Sequence, residues 1–125
     1  MRISMHLHKE IFELVELGIK TVEMRLYDEK RQQLAVGDMI EFISRADSSK
    51  LYAEITALPK FANFAELYKH YDKRALGYQS EEKADPKDME RFYPLERQRR
   101  YGVVAIEFKL SNSSADCIKE DIYLG

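Results

Sequence analysis

The chain has 125 residues, with 20 Lys and Arg against 22 Asp and Glu, and a formal net charge of −2 at pH 7. This length suits one domain with one core, and a hydrophobic content of 45% with only 5 Gly and 3 Pro excludes a disordered, collagen-like or low-complexity chain. The single cysteine excludes an internal disulfide and predicts a reducing compartment. No apolar run approaches the ~18 residues of a membrane-spanning helix, and the N-terminus does not resemble a secretion signal. We therefore expect a cytoplasmic protein without a membrane partner.

The first part of the chain alternates between strand and helix patterns. Residues 2–7 alternate apolar and polar side chains and predict a strand. Helical spacing of apolar residues predicts a helix over 9–17, and Gly18 stands where a left-handed C-terminal cap belongs. Period two returns over 20–26 and predicts a second strand. The apolar face of this strand consists of Val22, Met24 and Leu26.

Three further strands are predicted over 39–45, 51–58 and 103–110. The first two are separated by a polar turn and therefore predict an antiparallel hairpin. A helix is predicted from Asn63 to about His70, because Asn63 has the spacing of a helix N-cap with an acid three residues later. A second helix is predicted to begin at Asp85-Pro86, an N-cap followed by proline, and to run to Phe92 before Pro94 interrupts it.

This element order predicts an α+β fold. Long alternating βα units are missing, so a curved mixed sheet or barrel with helices packed around it is favoured over a doubly wound parallel sheet. We expect one domain over residues 1–110, because a run of serine and asparagine after it breaks the strand pattern. Residues 111–125 are expected to form a dispensable tail or a docked edge segment.

The segment from Gly18 to Arg25 is the strongest candidate for a functional site. Glu23 and Arg25 share the polar face of the second strand, about 7 Å apart, and Lys20 stands at its beginning. A guanidinium offers a planar set of donors for a phosphate or a base edge, and a carboxylate accepts from amino groups. The alternative is a solvated strand face with a weak ion pair.

Four other groups carry less weight. One hypothesis is that three arginines contact phosphates, and the alternative is that they are solvated at the end of a helix; they are Arg97, Arg99 and Arg100. His6 and His8 share a strand face, but with no third ligand we expect a surface role and no metal site. A base-stacking platform is one interpretation of the tyrosines and packing is the other; they are Tyr68, Tyr71, Tyr78 and Tyr93. We expect Cys117 to be structural or incidental.

The segment 18–25 resembles the G-x-K-x-x-E-x-R motif of the ASCH domain family, part of the PUA-like superfamily. The resemblance extends over about residues 2–110, including the Val36-Gly37-Asp38 turn and the closing strand after Tyr101. It implies a PUA-like β-barrel surrounded by helices, with a cleft beside the motif strand. The family is associated with RNA binding, some small bacterial members hydrolyse acetylated cytidine, and some have been described as ribonucleases.

The resemblance to the amidohydrolase members is uneven. It matches them at Lys20 and Arg25, but their catalytic threonine falls where this chain has Glu23, with Thr21 two residues away on the same face. Their general-base glutamate has no assigned counterpart. Three residues are eligible for that role: Glu66, Glu82 and Glu90.

Three functions follow as hypotheses. The first is an RNA- or nucleotide-binding module. Its ligand-binding residues would be Lys20, Thr21, Glu23, Arg25, Arg97, Arg99 and Arg100. The second is a hydrolase acting on a modified nucleoside or on RNA, with Lys20 and Glu23 as catalytic residues. The third is a protein-binding adaptor that uses the tyrosine-rich face. None of the three implies a cofactor, and the sequence leaves the oligomeric state open.

Overall fold

Most of the predicted elements are present in a computed structural model, which describes residues 2–111. The strands are β1 (Arg2–Leu7), β2 (Val22–Leu26), β3 (Met39–Ser44), β4 (Lys50–Ala57), β5 (Lys60–Phe61) and β6 (Val103–Leu110). The helices are α1 (Lys9–Glu16), α2 (Phe64–Tyr68), α3 (Lys73–Leu76) and α4 (Leu95–Tyr101), with 3-10 turns at Arg31–Gln33 and Pro86–Met89. Apart from Ser111, the predicted tail lies outside the described residues.

One mixed sheet contains all six strands. Its order is β1-β3-β4-β6-β2, and β5 pairs with β6 beside this path. The pair β1–β3 is parallel and the other pairs are antiparallel. The sheet curls into a half-barrel with helices around it, which confirms the predicted α+β, PUA-like class. Strands β1 and β2 are the two ends of the path, and the space between them is the open seam of the half-barrel.

Strand β6 separates two cores because both of its faces are buried. Val104, Ile106 and Phe108 face a first core, which the sheet forms with α1. Val103 and Ala105 face a second core, in which β2 packs against α2 and α3. Burial on both faces explains why β6 reads as an almost continuous apolar run.

Strand β2 contributes to the second core and not to the first. Val22, Met24 and Leu26 are buried, as predicted, but they pack under the helices. The alternate residues Glu23 and Arg25 therefore face the side of the first core. Their cross-strand partners are Ile106 and Val104. The polar face of β2 thus lies against the sheet interior where the seam opens.

Two predicted helix caps are present. Gly18 follows α1 with a φ of +76°, a conformation that glycine adopts without steric cost. The Asn63 side chain accepts a hydrogen bond of 2.9 Å from the Glu66 amide at the start of α2. That helix ends at Tyr68 and not near His70.

The second half of the chain differs most from the prediction. The helix expected after Asp85 is a 3-10 turn that ends at Met89. Helices α3 and α4 and strand β5 were not predicted. Helix α4 has no apolar stripe to reveal it, because its buried residue is Gln98, which bonds the Tyr93 carbonyl and the Phe64 amide. Within residues 2–111, no helix is long and apolar enough to span a bilayer.

A candidate ligand-binding groove at the open seam

The turn between α1 and β2 fixes the position of Lys20. The amides of Ile19 and Lys20 both donate to the Leu14 carbonyl, at 2.9 and 3.1 Å. The next amide, of Thr21, donates to the Ala75 carbonyl of α3. These bonds hold the start of β2 against α3 and direct the Lys20 side chain inward, where it is only 3% exposed.

The Lys20 ammonium has two hydrogen-bond acceptors and one ion-pair partner. Nζ donates to the Val22 carbonyl and to the Leu76 carbonyl, both at 2.8 Å. Its third neighbour is the Glu23 carboxylate, with Oε1 at 3.6 Å. Gly77 leaves room for this side chain, since a Cβ there would lie 3.1 Å from Lys20 Cδ. The Lys20 side chain is therefore buried and connects β2 to the end of α3.

Glu23 is a buried carboxylate held from one side. Oε1 accepts a hydrogen bond of 2.9 Å from the Met24 amide. It also forms ion pairs with Arg25 Nη1 at 3.0 Å and with Lys20 Nζ at 3.6 Å. Oε2 accepts no hydrogen bond from residues 2–111. No fully buried side-chain oxygen or nitrogen in that range lacks a partner, so Oε2 must reach the groove surface.

Arg25 lies at the edge of the seam. Nη1 also donates to the Met24 carbonyl at 2.8 Å, and Nη2 lies 3.8 Å from the sulfur of Met5 on β1. Its side chain is 21% exposed, against 9% for Glu23. A guanidinium has five donor hydrogens, so Arg25 keeps donors for a ligand after these contacts.

The surroundings perturb the pKa values of the two buried groups. Burial lowers the pKa of Lys20, although the Glu23 carboxylate opposes that shift. Burial also disfavours the Glu23 carboxylate, but the charges of Lys20 and Arg25 and the Met24 amide outweigh it and lower its pKa to about 2. Glu23 is therefore ionised at neutral pH. The alternative of a solvated ion pair on this strand face was wrong, because Lys20 and Glu23 are buried.

A groove of about 370 Å³ opens over this pair, and we call it the seam groove. Glu23 and Arg25 contribute to its lining from β2. Two aromatic residues also line it, Phe92, which is 58% exposed, and Tyr93. His6 of β1 and His8 after it line the groove as well. The remaining lining residues are Leu7, Ile11, Lys20, Met24, Arg45 and Met89.

The structure brings together only part of the predicted ligand-binding set. Lys20, Glu23 and Arg25 line the seam groove, whereas Thr21 is exposed and does not. The three arginines are exposed on α4, outside the groove lining, and their role stays a prediction; they are Arg97, Arg99 and Arg100. The eligible general-base glutamates do not line the groove either; they are Glu66, Glu82 and Glu90.

The structure also gives the positions of the two histidines and the four tyrosines considered as candidates. His6 and His8 are exposed at the groove wall, and residues 2–111 contain no group of three side chains positioned to hold a metal ion. The four tyrosines pack against the second core. The Tyr68 and Tyr78 hydroxyls lie 2.8 Å apart, and Tyr78 reaches Asp88 at 2.7 Å. Only Tyr93 among these four lines the seam groove.

Sequence reasoning missed Phe92 and Arg45 as groove residues. Both are exposed and lie outside any strand or helix. Each stands at the end of a predicted element and in no motif. Their proximity to β2 comes from the curl of the sheet and the path of the chain after the 3-10 turn, which no local signal encodes.

Comparison with known proteins identifies the family. The model of the ASCH domain matches residues 5–111. The chain belongs to the ASCH domain family. This family is associated with RNA binding. No curated protein matched the sequence of this ASCH domain.

Several solved structures are similar to this ASCH domain. The crystal structure of hypothetical protein PH0355 is 35% identical with a TM-score of 0.73, over 89% of this chain and 100% of that one. The solution structure of protein PF0455 from Pyrococcus furiosus is 32% identical with a TM-score of 0.71, over 90% and 99%. ASCH from Zymomonas mobilis is 18% identical with a TM-score of 0.56, over 85% and 65%, and supports the fold alone.

Proposed function

We propose that this ASCH domain binds single-stranded RNA or a nucleotide, with one base in the seam groove beside Glu23 and Arg25. One observation carries the proposal. A carboxylate oxygen and a guanidinium face the same groove from adjacent positions on one side of β2. Glu23 Oε1 is already engaged by the Met24 amide and by the charges of Arg25 and Lys20, so Oε2 is the oxygen available to accept from a ligand.

This pair suits the edge of a nucleobase. A carboxylate accepts from exocyclic amino groups, and an arginine donates to ring nitrogens and carbonyls. Bases of single-stranded RNA also stack on aromatic side chains. Phe92 and Tyr93 line the same groove as the pair, and the Arg91 guanidinium lies 4.9 Å from the centre of the Phe92 ring.

A hydrolase acting on a modified nucleoside or on RNA is the second candidate. A buried lysine with a lowered pKa beside a carboxylate favours it. Two observations weigh against it. The ammonium of Lys20 is engaged by two carbonyls and Glu23. The pKa of Glu23, about 2, makes it a weak proton acceptor, since a general base works best with a pKa near the working pH.

The adaptor hypothesis has less support, because the tyrosines pack against the second core and two of them bond each other through their hydroxyls.

We also propose a reducing, cytoplasmic location, based on the single cysteine.

Fluorescence anisotropy with a short labelled single-stranded RNA tests the proposal. Phe92→Ala should weaken binding about 5- to 150-fold, the range expected when one stacked base loses its aromatic partner. Because Phe92 is 58% exposed, the variant should keep its thermal stability. Leu17→Ala is the matched control, since Leu17 is 71% exposed and lies outside the groove lining.

Arg25→Ala should lose binding as well, with circular dichroism to verify that it folds. Unchanged affinity in both Phe92→Ala and Arg25→Ala would refute the binding site. Incubation of the wild-type protein with nucleosides, acetylated nucleosides and RNA distinguishes the hydrolase from the binding function. Release of acetate or cleavage of RNA by the wild-type protein, lost in a Lys20→Met variant that circular dichroism shows to be folded, would favour the hydrolase.

A further inference from the structure

A second cavity continues from the seam groove along β1 and carries only positive formal charge. It measures about 430 Å³ and receives no Asp or Glu from residues 2–111. We call it the basic cavity. Its polar lining besides Arg25 and Gln33 consists of Arg2, Ser4, His6, Lys30, Arg31 and Arg45. A chain with a net charge of −2 therefore concentrates five cationic side chains around one cavity.

Three of these cations are balanced by carboxylates outside the cavity. Arg2 lies 2.7 Å from Glu41, and Arg31 lies 2.9 Å from Asp28. Arg25 pairs with Glu23. Each guanidinium uses few of its five donors in these contacts, so donors remain for an anion.

Lys30 and Arg45 are not balanced. Both are exposed, and neither makes an ion pair or a side-chain hydrogen bond with any residue in 2–111. They approach the cavity from different parts of the chain. Lys30 stands just before the 3-10 turn at Arg31–Gln33, and Arg45 follows β3. Two unpaired cations and several spare guanidinium donors around one acid-free cavity suit a phosphate group.

The two cavities share a boundary. His6, Arg25 and Arg45 line both of them. A ligand whose base lies beside Glu23 would therefore direct an adjacent anionic group past Arg25 into the basic cavity. In nucleic acids that group is the phosphate.

We propose that the basic cavity is a phosphate-binding subsite, so that the ligand class is a phosphorylated nucleotide or an RNA strand and not a free nucleoside. The placement of the base rests on the proposed function. The affinity of the basic cavity for phosphate does not, which allows the two to be tested separately.

The test compares two double variants with the same charge change. Lys30→Ala/Arg45→Ala removes the unpaired cations of the cavity. Lys83→Ala/Lys87→Ala is the control, because both lysines are exposed and lie outside the two cavities. Affinity for a labelled single-stranded RNA is measured over a range of salt concentrations. The slope of log K against log salt should become shallower by about 0.7 in the first variant, since each phosphate neutralised on a single strand contributes about 0.7. The control should keep the wild-type slope.

A second measurement uses inorganic pyrophosphate and isotope-labelled protein. Pyrophosphate should shift the backbone amide signals of Ser4, Arg31 and Arg45 in the wild type and in the control. It should leave Ser4 and Arg31 unshifted in Lys30→Ala/Arg45→Ala. A nucleoside 5′-monophosphate and an RNA without terminal phosphate then distinguish a terminal phosphate from a phosphodiester as the source.

The outcomes separate the two proposals. Normal RNA binding with an unchanged salt slope and no pyrophosphate shifts would overturn the subsite and leave the proposed function standing. Pyrophosphate shifts without RNA binding would support the subsite and refute the proposed function. Absence of both would refute both.

Discussion

Glu23→Gln should cost this domain about 3 kcal/mol of unfolding free energy at pH 7. The substitution keeps an acceptor for the Met24 amide and for Arg25, but it removes the negative charge beside the buried Lys20 ammonium. A pKa lowered from its ordinary 4.5 to about 2 corresponds to about 3 kcal/mol. Removing one partner of a buried ion pair typically costs about 3–5 kcal/mol, which is consistent.

The pH dependence gives this prediction its sharpest form. The folded-state pKa of Glu23 is depressed, so its stabilisation is fully present above the unfolded pKa of about 4.5 and is lost as pH falls towards about 2. The difference in unfolding free energy between wild type and Glu23→Gln should therefore shrink from about 3 kcal/mol at pH 7 towards zero near pH 2. Other acids titrate alike in both proteins and cancel in the difference.

Urea denaturation followed by circular dichroism at several pH values measures this difference. Glu66→Gln is the matched control, because Glu66 also pairs with a lysine three residues away, but in an exposed bridge. That variant should lose no more than about 0.5 kcal/mol at any pH. A loss below about 1 kcal/mol for Glu23→Gln at pH 7, or a loss that stays constant down to pH 3, would contradict the burial of this charge pair.

Three further outcomes are expected. Gly77→Ala should destabilise the domain by about 2 kcal/mol, which is more than Gly37→Ala. Both glycines have a positive φ, but only at Gly77 would a Cβ meet the Lys20 side chain. Thermal melts of the two variants measure the difference in stability. Truncation after Ser111 should leave a cooperatively folded domain, and a melting temperature lowered by tens of degrees would assign residues 112–125 to the core. In Glu23→Gln, the pKa of Lys20 should fall further, because the carboxylate that opposes the effect of burial is lost. The unfolding free energy from urea denaturation should then increase with pH, up to the ordinary lysine pKa, more steeply than in wild type.

The sequence predicts the sheet well because period two is a strong signal wherever one face of a strand is buried. It predicts the caps at Gly18 and Asn63 because the backbone geometry there favours those residue types. It fails for α3, which has only four residues and is too short for a periodic pattern. It also fails for α4, whose buried side chain is the polar Gln98.

The candidate site is predicted in part for a similar reason. The motif at Lys20, Glu23 and Arg25 lies within eight residues of sequence, so it is visible without a structure. Its burial is not visible, because alternation assigns charged residues to the solvent face of a strand. Here both faces of β2 are covered at Glu23, since the curled sheet turns that face towards the first core.

The polar side chains of the motif also connect the elements on the two sides of the seam. A chain of contacts runs from the sulfur of Met5 on β1 through Arg25 and Glu23 to Lys20, and from there to the Leu76 carbonyl at the end of α3. It joins the two end strands of the sheet, which share no backbone pairing.

Substitutions at Lys20 and Glu23 therefore change stability and binding together, and a loss of binding in either variant does not by itself identify a ligand contact. The informative positions are those at which exposure separates the two effects. Phe92 tests the place of the base, and Lys30 and Arg45 test the place of the phosphate, because all three are exposed at the cavities. If binding responded to the buried motif residues but to none of these three, the motif would be a structural link across the seam and the ligand would bind elsewhere.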